Sequence, residues 1–165
     1  MKLLHVGPGS EERPHWFEAY EEVRLDISPD HQPDVLASMT EMGDIGPFDA
    51  VYSSHSLEHL APYEVPVALD EFYRVLNPGG FALIIVPDLE DIRPTEDVLY
   101  MSPAGPITGL DLIYGAHYLL KQQPYMAHQC GFVAATLEGA LRTAGFSDVK
   151  TQRLSQYNLM AVATK

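Results

Sequence analysis

What most limits the fold of this chain is the way short apolar runs alternate with turns and amphipathic stretches. Residues 2–6 are apolar but for Lys2 and His5 and stop at Gly7-Pro8-Gly9, as a buried strand entering a tight turn does. Residues 23–27, 35–37 and 48–53 read as three further strands. Only the seven residues 27–33 separate Asp26 from Asp34, too few for a crossover helix, so a loop carries the chain between the second and third strands. Ser10 is placed to cap a helix from residue 11 to about 20, with Pro14 confining its start.

Residues 64–76 place Val65, Ala68, Leu69, Phe72, Val75 and Leu76 on one stripe, which predicts an amphipathic helix with Pro66 in its first turn. Asn77-Pro78-Gly79-Gly80 ends it, and residues 81–86 are apolar throughout, as in a strand covered on both faces. A helix over 134–144 stops at Gly145. Residues 149–154 and 158–163 form a closing antiparallel hairpin. This order predicts an α/β, Rossmann-like doubly wound, mostly parallel sheet with helices on both faces and a C-terminal antiparallel hairpin. The whole of 1–165 reads as one domain. Residues 88–131, rich in Pro, Gly, Tyr and Met and poor in strand runs, read as a lid-like insertion over one face. Right-handed crossovers bring Gly7-Pro8-Gly9, Asp26, Ser38 and His55 to one edge of the sheet.

Ten basic against 23 acidic side chains give a net charge of −13. That surface repels phosphate backbones and anionic lipid, so the expected partner is a neutral or cationic small molecule, with no nucleic acid and no membrane. The opening apolar run is too short for a secretory leader, no run reaches the roughly 20 residues of a membrane span, and the lone Cys130 precludes an internal disulfide. A reducing, cytoplasmic setting follows as an expectation, with Cys130 a small buried apolar residue.

Several segments together carry a family likeness: Leu4-His5-Val6-Gly7-Pro8-Gly9; Val23-Arg24-Leu25-Asp26; residues 48–60, ending His55-Ser56-Leu57-Glu58-His59-Leu60; Arg74-Val75-Leu76-Asn77-Pro78-Gly79-Gly80, leading to Val86-Pro87-Asp88; and Ala144-Gly145-Phe146. In this order they resemble the class I S-adenosylmethionine-dependent methyltransferases over nearly the whole chain. The resemblance implies S-adenosylmethionine as cofactor. Gly7, Pro8 and Gly9 would line its methionine portion, Asp26 would bind the ribose hydroxyls, Ser38 and Met39 would border the adenine, and Ser54 and His55 would face the sulfonium. His59 matches a histidine common after that strand, with a partly structural role. The chain departs from the usual pattern at His5, where an acid is common, at Glu11, in place of a third glycine, and at Ser38, in place of an adenine-contacting acid. Pro8 also removes an amide donor from the loop.

In-line displacement of a sulfonium methyl needs no acid for the leaving group, but a hydroxyl or ammonium acceptor needs a base. His55, His117 and His128 are the candidates, histidine titrating near neutrality. Tyr114, His117, Tyr118, Tyr125 and His128 suit a lid that shapes the acceptor pocket, or equally a peripheral cluster or homodimer contact. The resemblance implies a small-molecule acceptor such as a metabolite or saccharide precursor. A relative that has lost catalysis and serves as a binding or partner protein is the main alternative. No resident metal is expected, although His55-Ser56-Leu57-Glu58-His59 also fits the H-x-x-E-H pattern of zinc hydrolases, with His55 and His59 as ligands and Glu58 as base. The G-x-G-x-x-G of nicotinamide enzymes is broken at Pro8 and Glu12.

Overall fold

Strand β1 (Lys2–Val6) lies inside the sheet, with β2 (Glu21–Asp26) on one side and β4 (Phe48–Ser54) on the other, both parallel to it. The computed structural model describes residues 1–103 and 105–165. Leu4 and Val6 point into the larger core, while Leu3 faces the smaller one; the period of two explains why the run is buried on both sides. β3 (Val35–Leu36) extends the sheet beyond β2, and β5 (Leu76–Pro87) lies beside β4, both parallel. β9 (Asn158–Thr164) runs antiparallel to β5, and β8 (Lys150–Leu154) pairs antiparallel with β9. The seven-stranded order is β3-β2-β1-β4-β5-β9-β8, so the expected mostly parallel sheet with its C-terminal antiparallel hairpin is the observed one. Strand order reverses between β1 and β4, the point where open α/β sheets open a crevice.

Helices α1 (Val65–Val75) and α4 (Ala134–Thr143), both foreseen, pack the larger core with Ala68, Leu69, Phe72, Leu137 and Leu141. Pro66 takes up the start of α1, and the positive φ of 98° at Gly145 releases the chain after α4.

The helix expected over 11–20 does not form. Its place is taken by a single 3-10 turn, His15–Phe17. Pro14 biases Arg13 away from helical torsions, and the Glu11 carbonyl, which a helix would use, accepts a hydrogen bond from the Arg24 guanidinium, as does that of Gly9 just ahead of it. The two faces are therefore unequally covered: the smaller core of Leu3, Ala50, Tyr52 and Leu83 is roofed by Phe17, with Tyr20 against it.

Residues 88–131 are bracketed by a bridge between Asp88 and Phe132. They contain a short antiparallel hairpin that the sequence reading passed over, β6 (Val98–Ser102) and β7 (Gly105–Thr108), then helices α2 (Gly109–Tyr114) and α3 (His117–Leu120). Thr108 and Asp111 cap α2 reciprocally, and Asp111 also accepts the His117 amide at 3.0 Å. No helix among the described residues is long and apolar enough to cross a membrane.

Candidate active site

A cleft of about 580 Å³ opens at the C-terminal ends of β1 to β4. Gly7, Pro8, Gly9, Asp26, Ser38, Met39, Ser54 and His55 all line it. Parallel strands explain their convergence, since each residue follows or ends a strand at the same edge. A smaller cavity of about 290 Å³, between Asp91 and Tyr157, shares no lining residue with it.

The loop after β1 is held from two sides. Gly7 has φ +65°, and a Cβ there would collide with Ser56 Oγ, so glycine is required for both torsion and space. Ser56 Oγ lies 3.3 Å from the Gly7 carbonyl and 3.1 Å from the Ser54 carbonyl, joining the turns that follow β1 and β4. Asp26, almost fully buried, accepts the Gly9 amide on Oδ2 at 3.0 Å and the Ser28 amide on Oδ1 at 2.9 Å. An ionised carboxylate has about four acceptor sites, so capacity remains on both oxygens for a vicinal diol.

Two of the departures from the usual motif, at His5 and Glu11, have structural counterparts. His5 is buried, and its Nδ1 lies 2.7 Å from Glu22 Oε1, so the acid near this position comes from the adjacent strand. Burial lowers the His5 pKa despite the opposing hydrogen bond and charge of Glu22. Where the loop lacks a third glycine, Arg24 on β2 binds the Gly9 and Glu11 carbonyls at 2.8 and 3.0 Å. Ser38 Oγ is engaged by Thr40, accepting its amide at 3.2 Å and sharing a 2.7 Å hydrogen bond with its hydroxyl.

The three candidate bases separate. His55 lines the cleft and is 43% exposed, with its Nδ1 3.4 Å from Glu58 Oε1. It has φ +50°, a left-handed conformation that costs a non-glycine residue energy and clusters at functional sites. Burial lowers its pKa, but the adjacent Glu58 carboxylate outweighs this and the net direction is upward. His117 and His128 are not part of the lining. His117 is 53% exposed and pairs with Asp111 at 3.3 Å. His128 is half-buried, donating from Nδ1 to the Leu112 carbonyl at 2.9 Å, and burial lowers its pKa.

Of the aromatic residues singled out in 88–131, Tyr125 reaches the cleft, with Gln123, Met126 and Gln129 from the same segment, whereas Tyr114 and Tyr118 do not line it. Cys130 is partly buried, and burial pushes its thiol up to about 11, which leaves it an inert thiol at neutral pH.

The helical H-x-x-E-H geometry is absent. Residues 57–59 form one 3-10 turn and His55 precedes it with left-handed torsions, so His55 and His59 do not share a helical face. Glu58 is instead packed among histidines. It is 1% exposed, and neither carboxylate oxygen has a hydrogen-bond partner among the described residues. Burial would raise its pKa, but His55, His59 and His128 bring the net direction down, to the charged form. Neither this carboxylate's environment nor the Arg24 and Ser56 contacts had been foreseen.

The sequence profile of the methyltransferase domain matches residues 1–151. No curated protein matches the sequence. Among solved structures, an S-adenosylmethionine-dependent methyltransferase from Mesorhizobium loti superposes with a TM-score of 0.69 at 16% identity, covering 99% of this chain and 90% of that one. A SAM-dependent methyltransferase from Archaeoglobus fulgidus gives 0.67 at 19% identity, covering 99% and 86%. The Burkholderia thailandensis 1,6-didemethyltoxoflavin-N1-methyltransferase, solved with 1,6-didemethyltoxoflavin and S-adenosylhomocysteine, gives 0.63 at 17% identity, covering 99% and 70%. The fold is shared with these enzymes, and by the extent of the profile match this chain belongs to the methyltransferase-domain family.

Proposed function

We propose that this chain is an S-adenosylmethionine-dependent methyltransferase that methylates a small molecule in the cleft between β1 and β4. The observation that carries this reading is the convergence of the glycine loop, Asp26, Ser38, Met39, Ser54 and His55 on one cleft in a member of this family. Bound there, the cofactor supplies a sulfonium methyl that a nucleophile displaces in line, leaving a neutral thioether. Asp26 accepts the two ribose hydroxyls with its remaining lone pairs. Gly7, Pro8 and Gly9 pass beneath the methionine portion, where the positive φ at Gly7 and Gly9 turns the loop. Ser38 and Met39 border the adenine, and Ser54 and His55 face the sulfonium.

His55 takes the proton from a hydroxyl or ammonium acceptor. The acceptor enters beside Gln123, Tyr125 and Gln129 of the inserted segment, which acts as a lid excluding water. A net charge of −13 favours a neutral or cationic acceptor, a metabolite or saccharide over a nucleic acid. A purely binding role is disfavoured, because the departures at His5 and Glu11 have substitute contacts and because a histidine with left-handed torsions lines the cleft.

The test is transfer of a labelled methyl group from S-adenosylmethionine to a panel of neutral and cationic hydroxyl and amine metabolites. Transfer is expected with the natural protein, and His55→Ala should lower turnover by roughly 10²-fold or more while S-adenosylhomocysteine still binds. Cofactor binding without transfer to any panel member would favour the binding-protein reading.

A further inference from the structure

Glu58, His59 and His128 form a cluster that the mechanism above does not explain. One donor atom from each lies within 4.8 Å of the other two. A carboxylate removed from water without hydrogen bonds is among the costliest groups a fold can bury, unless it is paired or bound to a cation. Neither Glu58 oxygen has a hydrogen-bond partner among the described residues, and its nearest charge partner is the exposed His55, whose Nδ1 lies 3.4 Å from Oε1.

The surroundings are built. His59 Nδ1 lies 3.3 Å from the Ala127 carbonyl and His128 Nδ1 lies 2.9 Å from the Leu112 carbonyl. A histidine that donates one ring N–H to a carbonyl is fixed in the tautomer whose other nitrogen offers a lone pair, the usual outer-shell arrangement of metal-ligating histidines. The segment carrying His128 is docked onto the turn carrying Glu58 by the Gln129 and Cys130 amides, which donate to the Glu58 carbonyl at 2.8 and 3.2 Å. Gln129 Nε2 donates to the His59 carbonyl at 2.7 Å. Of the three, His59 lines the cleft, and through it the cluster borders the position assigned above to the acceptor.

We propose that Glu58, His59 and His128 bind a divalent transition-metal ion with an open coordination position facing the cleft, where it takes the oxygen of a hydroxyl-bearing acceptor. Two imidazoles and one carboxylate suit zinc and its neighbours rather than magnesium or calcium, which prefer all-oxygen sets. The site is distinct from the H-x-x-E-H arrangement, since Glu58 becomes a ligand and His55 is left for the proton. Its role toward the acceptor rests on the methyl-transfer reading. The metal lowers the pKa of the bound hydroxyl; the proton passes to His55, the oxygen forms the bond to the methyl carbon, and the carbon–sulfur bond breaks with its electron pair left on sulfur.

The experiment is metal titration of the full chain after chelator treatment, with zinc followed by calorimetry and cobalt followed by its visible absorption. One equivalent of zinc should bind with submicromolar affinity, and cobalt should show bands of a site with nitrogen and oxygen donors. His128→Ala and Glu58→Gln should each weaken binding by about 100-fold or more and leave S-adenosylhomocysteine affinity within a few-fold. His128→Ala lies in the inserted segment and carries the test should Glu58→Gln fail to fold. No saturable binding, or equal binding in natural protein and His128→Ala, overturns the proposal. Variant-sensitive metal binding without any S-adenosylhomocysteine binding leaves the metal site standing and removes the methyl-transfer reading.

Discussion

The guanidinium of Arg24 donates to the carbonyl of Gly9 at 2.8 Å across the parallel pair β1–β2. With a second bond to Glu11 at 3.0 Å, it holds a loop that has neither a third glycine nor a following α-helix to define it. Arg24→Ala should weaken S-adenosylhomocysteine binding by about tenfold, on the scale of one lost charge-assisted hydrogen bond. Arg24→Lys should recover only part of this, because an ammonium cannot span both carbonyls as a planar fork does. Calorimetric affinities of the two variants check it; equal affinity in Arg24→Ala and the natural protein would show that the loop holds itself.

Gly7 and Gly9 both have positive φ, but only Gly7 faces an obstacle, Ser56 Oγ, whereas a Cβ at Gly9 meets nothing nearer than His31 Nε2 at 3.9 Å. Gly9→Ala should therefore cost about 1–2 kcal/mol of stability, the left-handed penalty alone. Gly7→Ala should cost more and abolish measurable cofactor binding. Denaturant midpoints and ligand titrations of the pair give the comparison, and equal effects would remove the steric role of Ser56.

Burial lowers the pKa of His5 below 6.5 in the folded chain. Between the folded and unfolded values the unfolded state binds more protons, so stability is full above about pH 6.5 and falls as pH drops through that window. His128, lowered by burial, works in the same direction, while His55, raised by Glu58, works against them. The melting temperature should be lower at about pH 5.5 than at about pH 7.5, with a smaller difference in His5→Asn. An undiminished difference in the variant would place the titration elsewhere.

The segments best read from sequence are those where one local rule decides the outcome. Residues 64–87 show an apolar stripe, a Gly-Gly break and an uninterrupted apolar run, and they form α1 and β5. The cleft residues were legible because parallel strands send every loop that follows them to one edge, so their positions follow from topology. The helix over 11–20 failed because Pro14 disfavours helical torsions at Arg13 and because the Glu11 carbonyl is taken by Arg24, a competition with no local signal. The β6–β7 hairpin was missed because Pro106 and the polar residues around it dilute its strand pattern. Least legible was the meeting of Glu58 with His128, which depends on contacts spanning some 70 positions, such as that from Gln129 to His59.

The central claim is that this cleft binds S-adenosylmethionine through Asp26. Its most direct measurement is calorimetric titration of natural protein, Asp26→Ala and Asp26→Asn with S-adenosylhomocysteine, with NAD as control. The account predicts saturable binding by the natural protein and none of NAD. Asp26→Ala should lose tenfold or more in affinity, since hydrogen bonds to a charged group are worth about 1.5–3 kcal/mol, and Asp26→Asn should fall between the two. No S-adenosylhomocysteine binding by folded protein, or undiminished affinity in Asp26→Ala, would contradict it.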